Sequence, residues 1–462
     1  MLITSILLYL ALNVLIGLWA SHRVKNTEDF VLAGRNLSFA LATMVTFATW
    51  FGSETMMGAP GRFVEDGVLG VIEDPFGAGL CLILVGVFYA RAFYKLNIIT
   101  FCDFFRLRFG KWAEYLSAIL IVPSYFGWIA AQLVSMSIVG EVVFGLPMST
   151  GIWVGAGLVM FYTLTGGMWS LSITDFLHNI ILMAGLIILA VILASEAGGV
   201  STIIARQPPG FFRMVPRAWS DSAEYFAAWI TIGLGSIPQQ DVFQRVMAAK
   251  DAPTAVRSSV GAGVLYWTIA LFPLFIGLTS VQLHPELLQG DAQLIIPNMV
   301  LKHAPLWVQM LFFGALISAL LSTTSGAILA PAAVMGENLI RPFFSSITDK
   351  QLLLAIRLSV VFVTGCAIWM ALGRQDVFEL VAESSALSLV SLFIPMTMGL
   401  YWKKANLPGC LLSMLLGLIG WLLSRYYSFS IPAILIGLFG SFLGMIIGIF
   451  WETVNTCKTS NS

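Results

Sequence analysis

The chain carries two polar interruptions inside apolar segments, Thr46-Phe-Ala-Thr-Trp-Phe-Gly-Ser-Glu-Thr55 and Gly233-Leu-Gly-Ser-Ile-Pro-Gln-Gln-Asp241. Each groups Gly or Pro with hydroxyl and carboxyl side chains where a membrane helix would be at mid-depth. Backbone freed from helical hydrogen bonding is tolerated there only if it lines a protected cavity. Interrupted helices at corresponding positions of two repeats indicate a transporter's binding site, although Gly and Pro also serve close packing and simple kinks.

The composition surrounding these interruptions is that of a membrane protein. Of the 462 residues, 58% are hydrophobic and only 10% are charged, and the mean hydropathy is +0.89. A soluble domain is about a quarter charged, so lipid must be the solvent of this chain. The formal net charge is zero, which argues against nucleic acid as a partner. Neither a phosphate-binding loop nor an enzyme motif is present, so we expect a non-enzyme.

Apolar stretches of spanning length predict an all-α membrane protein of about thirteen transmembrane helices in a single domain, 1–462. The predicted helices 1 to 13 are 3–20, 37–58, 68–93, 113–144, 150–166, 172–197, 225–247, 256–281, 305–336, 353–372, 376–401, 407–424 and 431–450. The two interruptions fall in predicted helices 2 and 7, which are five apart. This spacing predicts two inverted repeats of five helices, 2–6 and 7–11, over about 37–197 and 225–401. One N-terminal and two C-terminal helices are then additional.

The distribution of Lys and Arg predicts the orientation of the bundle. With the N-terminus outside, 17 of the 24 Lys and Arg residues face inward, as the positive-inside rule requires. An odd helix number places the C-terminus in the cytoplasm. Residues 2–20 have no preceding positive region and no A-x-A cleavage site, so we expect this helix to remain in the plasma membrane, here a bacterial inner membrane.

A hydroxyl-rich face on predicted helix 9 suggests a cation site. Ala319, Ser322 and Thr323 share this face through i, i+3 and i+4 spacing. If the interrupted helix 2 presents the carbonyls of Ala48 and Phe51 to it, about five oxygens without a formal charge converge, which suits a monovalent hard cation. Ser and Thr in membrane helices also bond their own i−4 carbonyls, and the pattern alone leaves both interpretations open.

Carboxylates and tryptophans inside the spans are the other candidate site residues, because buried charges are costly. Glu54 and Glu383 lie well inside predicted helices 2 and 11 and could contact a solute or carry a proton. Trp50 and Trp128 could wall a ligand pocket or receive a cation, although most membrane tryptophans belong to interfacial belts. Asp175 and Asp241 lie near predicted inner helix ends, where capping or pairing with Arg245 explains them equally well. Glu73 and Asp74 could cap predicted helix 3 near the outer surface.

Four motifs together resemble the sodium:solute symporter family, over nearly the whole chain. They are Asp29-Phe-Val-Leu-Ala-Gly-Arg35, Thr165-Gly-Gly-Met-Trp-Ser-Leu-Ser-Ile-Thr-Asp175, Gln240-Asp-Val-Phe-Gln-Arg-Val-Met-Ala-Ala-Lys250 and Ser322-Thr-Thr-Ser325. The resemblance implies a LeuT-type inverted-repeat fold and a coupling sodium ion. It assigns the sodium ligands to the carbonyls of Ala48, Phe51 and Ala319 and to the hydroxyls of Ser322 and Thr323. It also implies that Asp175 assists sodium release.

Locally the chain resembles the high-affinity choline transporters of that family, in Thr49-Trp50 and in Ile237-Pro-Gln-Gln-Asp-Val-Phe-Gln-Arg245. Trp50 and Trp128 match tryptophans of the aromatic cage in these transporters. Gln239 and Ala78 stand where the resemblance leads us to expect a tryptophan and a tyrosine. The more polar lining of Glu54, Gln239 and Gln240 could suit an amino acid or another zwitterion.

The sequence therefore predicts a secondary active transporter that couples sodium to the uptake of a small polar organic solute by alternating access. A proton-coupled carrier on the same scaffold, using Glu54 or Glu383, is the alternative. A membrane sensor is a third possibility, but the chain ends soon after predicted helix 13, where an output module would have to follow. No obligatory protein partner is indicated.

Overall fold

The computed structural model describes residues 1–22, 24, 26–344, 346–427 and 429–460, and the side chains at 21, 27, 165–167, 220, 288 and 452–460 are outside this description. Of the predicted inner cations, Arg23, Lys25 and the Lys458 side chain therefore lie outside the described part. In chain order the α-helices are α1 (Leu2–Ser21), α2 (Thr27–Leu32), α3 (Phe39–Ala48), α4 (Ala59–Asp66), α5 (Ala78–Leu84), α6 (Ala90–Leu96), α7 (Phe101–Phe109), α8 (Lys111–Ile121), α9 (Phe126–Phe144), α10 (Met148–Glu196), α11 (Val200–Ala205), α12 (Ser222–Gly233), α13 (Gln240–Ala248), α14 (Ala252–Ile269), α15 (Leu271–Leu283), α16 (Ile295–His303), α17 (Leu306–Val334), α18 (Asp349–Gly373), α19 (Val377–Ser388), α20 (Ile394–Tyr401), α21 (Leu407–Tyr427) and α22 (Ala433–Ser460).

Ten helical segments of the described chain are long and apolar enough to cross a membrane, and Phe39–Ala48 and Met148–Leu164 are shorter apolar helices. The all-α membrane class is confirmed. The exact count of thirteen crossings stays a prediction. One reason is that predicted helices 2 and 3 consist of short α-helices joined by 3₁₀-helical and π-helical segments, so that the ends of each crossing are not sharply defined. Predicted helix 7 is likewise split into α12 and α13.

The long helix α10 contains a reversal that its uninterrupted backbone pattern hides. In a straight helix, residues twelve apart are separated by about 18 Å. Yet the hydroxyls of Tyr162 and Thr174 lie 2.8 Å apart, and Ser170 donates a hydrogen bond to Tyr162 at 3.2 Å. The chain must bend back between these residues. Predicted helices 5 and 6 are therefore the two arms of α10.

Helix α17 lies at the centre of the bundle, with α1, α9, α10 and α18 packed around it. Helix α14 packs against α3 and α5, and α21 packs against α22. The chain between α12 and α13 approaches α19 closely: a Cβ added at Gly235 would lie 2.5 Å from the carbonyl oxygen of Ser385. Only glycine fits at that contact. The packing thus brings α17 and α19 against the two interrupted helices.

Candidate functional site

The first interruption lies between α3 and the helical segment that resumes at Ser53. Residues 49–52 form turns, and the N–H of Gly52 donates to the carbonyl of Trp50 at 2.8 Å. A Cβ added at Gly52 would lie 3.6–3.9 Å from side-chain atoms of Leu320, Gln132 and Thr323. The interruption therefore lies close to the middle of α17. The close approach is possible because Gly52 has no side chain that would hold α17 away.

One hydrogen bond joins the two elements expected to hold sodium. The Thr323 hydroxyl on α17 donates to the carbonyl of Ala48, the last residue of α3, at 3.1 Å. The adjacent hydroxyl of Ser322 is buried beside the Asp175 carboxylate and makes no hydrogen bond of normal geometry among the described residues. Ala319 lies one turn earlier on α17, and Phe51 lies within the interruption; both are buried. The five expected ligands thus occupy two elements in contact, with one hydroxyl oxygen still unpartnered.

Asp175, expected to assist sodium release, lies on the second arm of α10 beside Ser322 and Arg245. It is buried, and its Oδ1 has no hydrogen-bond partner in the described structure. Arg245 is also buried, and its Nη2 lies 2.6 Å from where a Cβ on Gly326 would be. Arg245 also interacts with the charge of Asp241. A buried cation therefore stands between two buried carboxylates, one turn of α17 beyond Ser322.

A separate small cavity, with a volume of about 10 Å³, lies between the two interrupted helices, α9 and α19. Four of the five predicted solute-binding residues line it, namely Trp50, Glu54, Trp128 and Gln239; the remaining lining residues are Ile232, Ser236, Val381, Ser384 and Ser385. The fifth, Gln240, is directed elsewhere: its amide oxygen accepts from the N–H of Phe101 at the start of α7. This volume is about that needed for one water molecule, so the cavity is closed in this conformation and a solute enters it only when the surrounding helices move apart.

The carboxylates beside this cavity form a buried group that the sequence did not reveal. Asp74, expected to cap a helix near the surface, is fully buried and accepts hydrogen bonds from Thr55 at 2.8 Å and from Tyr266 at 2.7 Å. Glu54 is 2% exposed, and its Oε1 has no partner among the described atoms. It is close enough to Asp74 and Glu73 to be repelled by both charges. The capping interpretation of Asp74 was therefore wrong.

Glu383, the other carboxylate considered for a proton, has ordinary partners. Its two oxygens accept from Arg374 at 2.6 Å and from Arg425 at 2.7 Å, and its side chain is 24% exposed. A paired, partly solvated carboxylate needs no solute or proton to offset its charge. Although Glu383 lies well inside its predicted span, its side chain is only partly buried and its charge is offset by two arginines.

Sequence reasoning also missed Gln132, one turn after Trp128 on α9. Both its amide nitrogen and its amide oxygen are buried and unpartnered among the described residues, and it faces Gly52. It lies between the cavity and the hydroxyls of α17. Its i+4 spacing from Trp128 was the available signal, since both residues then share one helix face.

The chain is similar to known membrane transporters. A model of the sodium:solute symporter family matches residues 30–417. The chain is 25% identical to high-affinity choline transporter 1 of Caenorhabditis elegans, over 93% of this chain and 79% of that protein. It is 27% identical to the high-affinity proline transporter PutP of Bacillus subtilis, over 87% of this chain and 88% of that protein.

Two solved structures share the fold. A Na⁺-coupled sialic acid symporter, in a substrate-bound outward-open state, has a TM-score of 0.83 at 20% identity and covers 98% of both chains. MhsT, in complex with L-phenylalanine, has a TM-score of 0.61 at 14% identity, over 90% of this chain and 98% of that one.

Two interrupted helices around a buried polar cavity, in a bundle with the LeuT-type fold, define a membrane transporter. The predicted fold is confirmed by the structural neighbours. Within that class, the chain belongs to the sodium:solute symporter family. The members named above are transporters of choline and of proline.

Proposed function

We propose that this protein is a sodium-coupled symporter that carries a small polar organic solute across the plasma membrane. Sodium binds where α3 ends against α17, at Ala48, Phe51, Ala319, Ser322 and Thr323, and the solute binds in the cavity beside Trp50 and Trp128. The observation that carries the proposal is the 3.1 Å bond between Thr323 and the Ala48 carbonyl, next to the unpartnered Ser322 hydroxyl. Family membership supports it.

Sodium at this junction would replace one hydrogen bond by several ion–oxygen contacts. The Thr323 hydroxyl and the Ala48 carbonyl would both turn toward the ion, and the Ser322 oxygen would gain the partner it lacks. The ion therefore holds α3 against α17 more strongly than the hydrogen bond does. A ligand shifts a conformational equilibrium only by its differential affinity for the two states. Sodium thus favours the state in which this junction is closed.

The membrane potential then drives uptake. We place the N-terminus outside and the C-terminus in the cytoplasm, from the distribution of Lys and Arg. A negative interior supplies about 2.3 kcal/mol for each cation per 100 mV, which corresponds to roughly fiftyfold accumulation per sodium ion. Asp175, between the ion site and Arg245, is positioned to receive sodium when it leaves inward.

Removing both hydroxyls from the ion site tests the proposal. Solute uptake into proteoliposomes is measured under a sodium gradient and under a proton gradient, for the wild type and for Ser322→Ala with Thr323→Ala. Since a bond to a charged group contributes about 1.5–3 kcal/mol, the double variant should need at least tenfold more sodium. Thr364→Ala is the control, because that buried hydroxyl bonds only the Val360 carbonyl of its own helix.

The result would go against the proposal if the double variant kept its sodium requirement. Uptake driven by a proton gradient without sodium would instead favour the proton-coupled carrier. The pairing of Glu383 with two arginines leaves Glu54 as the carboxylate for that alternative.

A further inference from the structure

We propose that the solute is an organic cation with at least one N–H, a primary, secondary or tertiary ammonium, whose nitrogen donates to Glu54 between Trp50 and Trp128. This inference rests on the proposed function and narrows its solute class. It excludes zwitterions, carboxylates, sugars and quaternary ammonium ions as the preferred solute. Three features of the cavity carry it: an unpartnered carboxylate, the balance of charge, and the distribution of aromatic and polar lining.

Glu54 is the group in the cavity that most needs a partner. It is 2% exposed, lines the cavity, and its Oε1 accepts no hydrogen bond from any described residue. Burying an ionised carboxylate without a partner costs several kcal/mol. An ammonium would supply both the missing donor and the missing positive charge. A neutral hydroxyl would supply only the first.

The charges around the cavity select against a solute that carries a carboxylate. Asp74 lies behind Glu54 and is held there by Thr55 and Tyr266. The cavity lining contains no Lys, Arg or His. A zwitterion would therefore bring its own carboxylate close to two others, with no cationic side chain to receive it.

The nearby arginines are engaged elsewhere. The positive charge of Arg62 attracts the carboxylate of Glu73. The Nη2 of Arg62 also lies 3.4 Å from the Oδ2 of Asp376. Arg245 lies between Asp175 and Asp241. Asp241 is in the first turn of α13, where its charge offsets the positive end of that helix. The N-terminus of α13 is therefore less able to attract the carboxylate of a solute.

The remaining lining defines the shape of the solute. Trp50 and Trp128 offer two aromatic faces to a cation. The neutral polar part of the lining consists of the hydroxyls of Ser236 and Ser385, which lie 3.0 Å apart, and the amide of Gln239. A quaternary ammonium would leave the Glu54 oxygen without a donor, which costs the desolvation of that group. Once the cavity opens, a small amine with a polar group at its other end can contact both the carboxylate and these neutral polar side chains.

A methylation series tests this directly on the unmodified protein. Thermal stabilisation by ethanolamine, N-methylethanolamine, N,N-dimethylethanolamine and choline is measured with saturating sodium, together with glycine, proline and glycine betaine. A ligand that binds only the folded state raises its apparent stability with the logarithm of its saturation. We expect the first three amines to bind. Choline, which has lost its last N–H, and each zwitterion should bind at least tenfold more weakly.

A matched pair of variants locates the effect. Glu54→Gln keeps the side chain's size but removes its charge, and should abolish the preference for amines over choline. Glu65→Gln removes an exposed carboxylate nearby on α4 and should leave the preference unchanged. Stabilisation by sodium alone shows whether each variant is folded.

The outcomes separate this inference from the proposed function. Sodium-dependent uptake of a zwitterion, a sugar or choline, with no amine binding, would overturn the inference and leave the symporter intact. Amine binding and uptake that do not depend on sodium would contradict the proposed sodium symport and would still support the proposed solute class. Equal binding of choline and dimethylethanolamine would also contradict the role given to the N–H.

Discussion

Replacing Arg245 with glutamine should make the transporter bind sodium more tightly. The Nη2 of Arg245 lies 2.6 Å from the position of a Cβ on Gly326. Gly326 follows Ser322 by four residues on α17, which corresponds to about 6 Å along the helix axis. The guanidinium charge is therefore about 7 Å from an ion at the Ser322 hydroxyl. It repels that ion, and its removal lowers the free energy of the occupied site.

The magnitude follows from Coulomb's law. At about 7 Å and an effective dielectric constant of about 20, two unit charges repel by roughly 2.4 kcal/mol. Each 1.4 kcal/mol corresponds to a factor of ten, so the half-saturating sodium concentration should fall by up to about fiftyfold. Turnover should fall as well, because sodium leaves the tighter site more slowly. The variant should also lose stability, since Asp175 and Asp241 lose the cation between them.

The assay is sodium titration of the purified protein by thermal shift, paired with uptake in proteoliposomes. Arg245→Lys is the control: it keeps the charge but loses the planar fork of donors. Its sodium affinity should stay close to that of the wild type even if its melting temperature falls. The reasoning fails if Arg245→Gln binds sodium more weakly than the wild type, or if the Lys and Gln variants shift sodium affinity equally.

Two other predictions concern stability. A Cβ added at Gly417 would lie 1.8 Å from the backbone oxygen of Val390, so Gly417→Ala should force α21 away and lower the free energy of unfolding by about 1–3 kcal/mol. Gly365→Ala is the control, because a Cβ at Gly365 would have nothing within 4 Å. Equal melting temperatures of the two variants would contradict the packing. Bonds from Lys302 and the backbone lower the pKa of Glu286 to about 2, so its contribution is present above about pH 4.5 and is lost as pH falls toward 2. Hydrogen exchange in the 284–294 segment should therefore rise on acidification in the wild type and change less in Glu286→Gln. An identical acid response in the two proteins would refute this.

Much of the architecture could be read from the sequence because lipid imposes one rule on every segment. A chain this apolar must satisfy its backbone internally, so each apolar stretch is predicted as a helix. The same rule made the polar interruptions at 46–55 and 233–241 conspicuous. Trp50, Glu54 and Gln239 fall in these interruptions, the resemblance to choline transporters added Trp128, and the structure places all four around one cavity.

The charges show where local sequence stops being informative. Glu54, Asp74 and Glu383 look alike in the sequence, since each is a carboxylate inside or beside an apolar stretch. Whether a carboxylate is paired depends on residues far away along the chain: Tyr266 for Asp74 and Arg425 for Glu383.

The sequence by itself determined a helical membrane bundle, its two interrupted helices and the residue types at the interruptions, because these follow from hydropathy and backbone hydrogen bonding within a single segment. Only the tertiary structure decided that Thr323 meets the Ala48 carbonyl and that Gln240 turns away from the cavity. It also decided that the Glu54 Oε1 has no hydrogen-bond partner among the described residues, while Glu383 has two arginine partners. The physical reason is that the deciding contacts join residues far apart along the chain, such as Ala48 and Thr323, which are 275 residues apart. The energy of each buried polar group depends on those contacts.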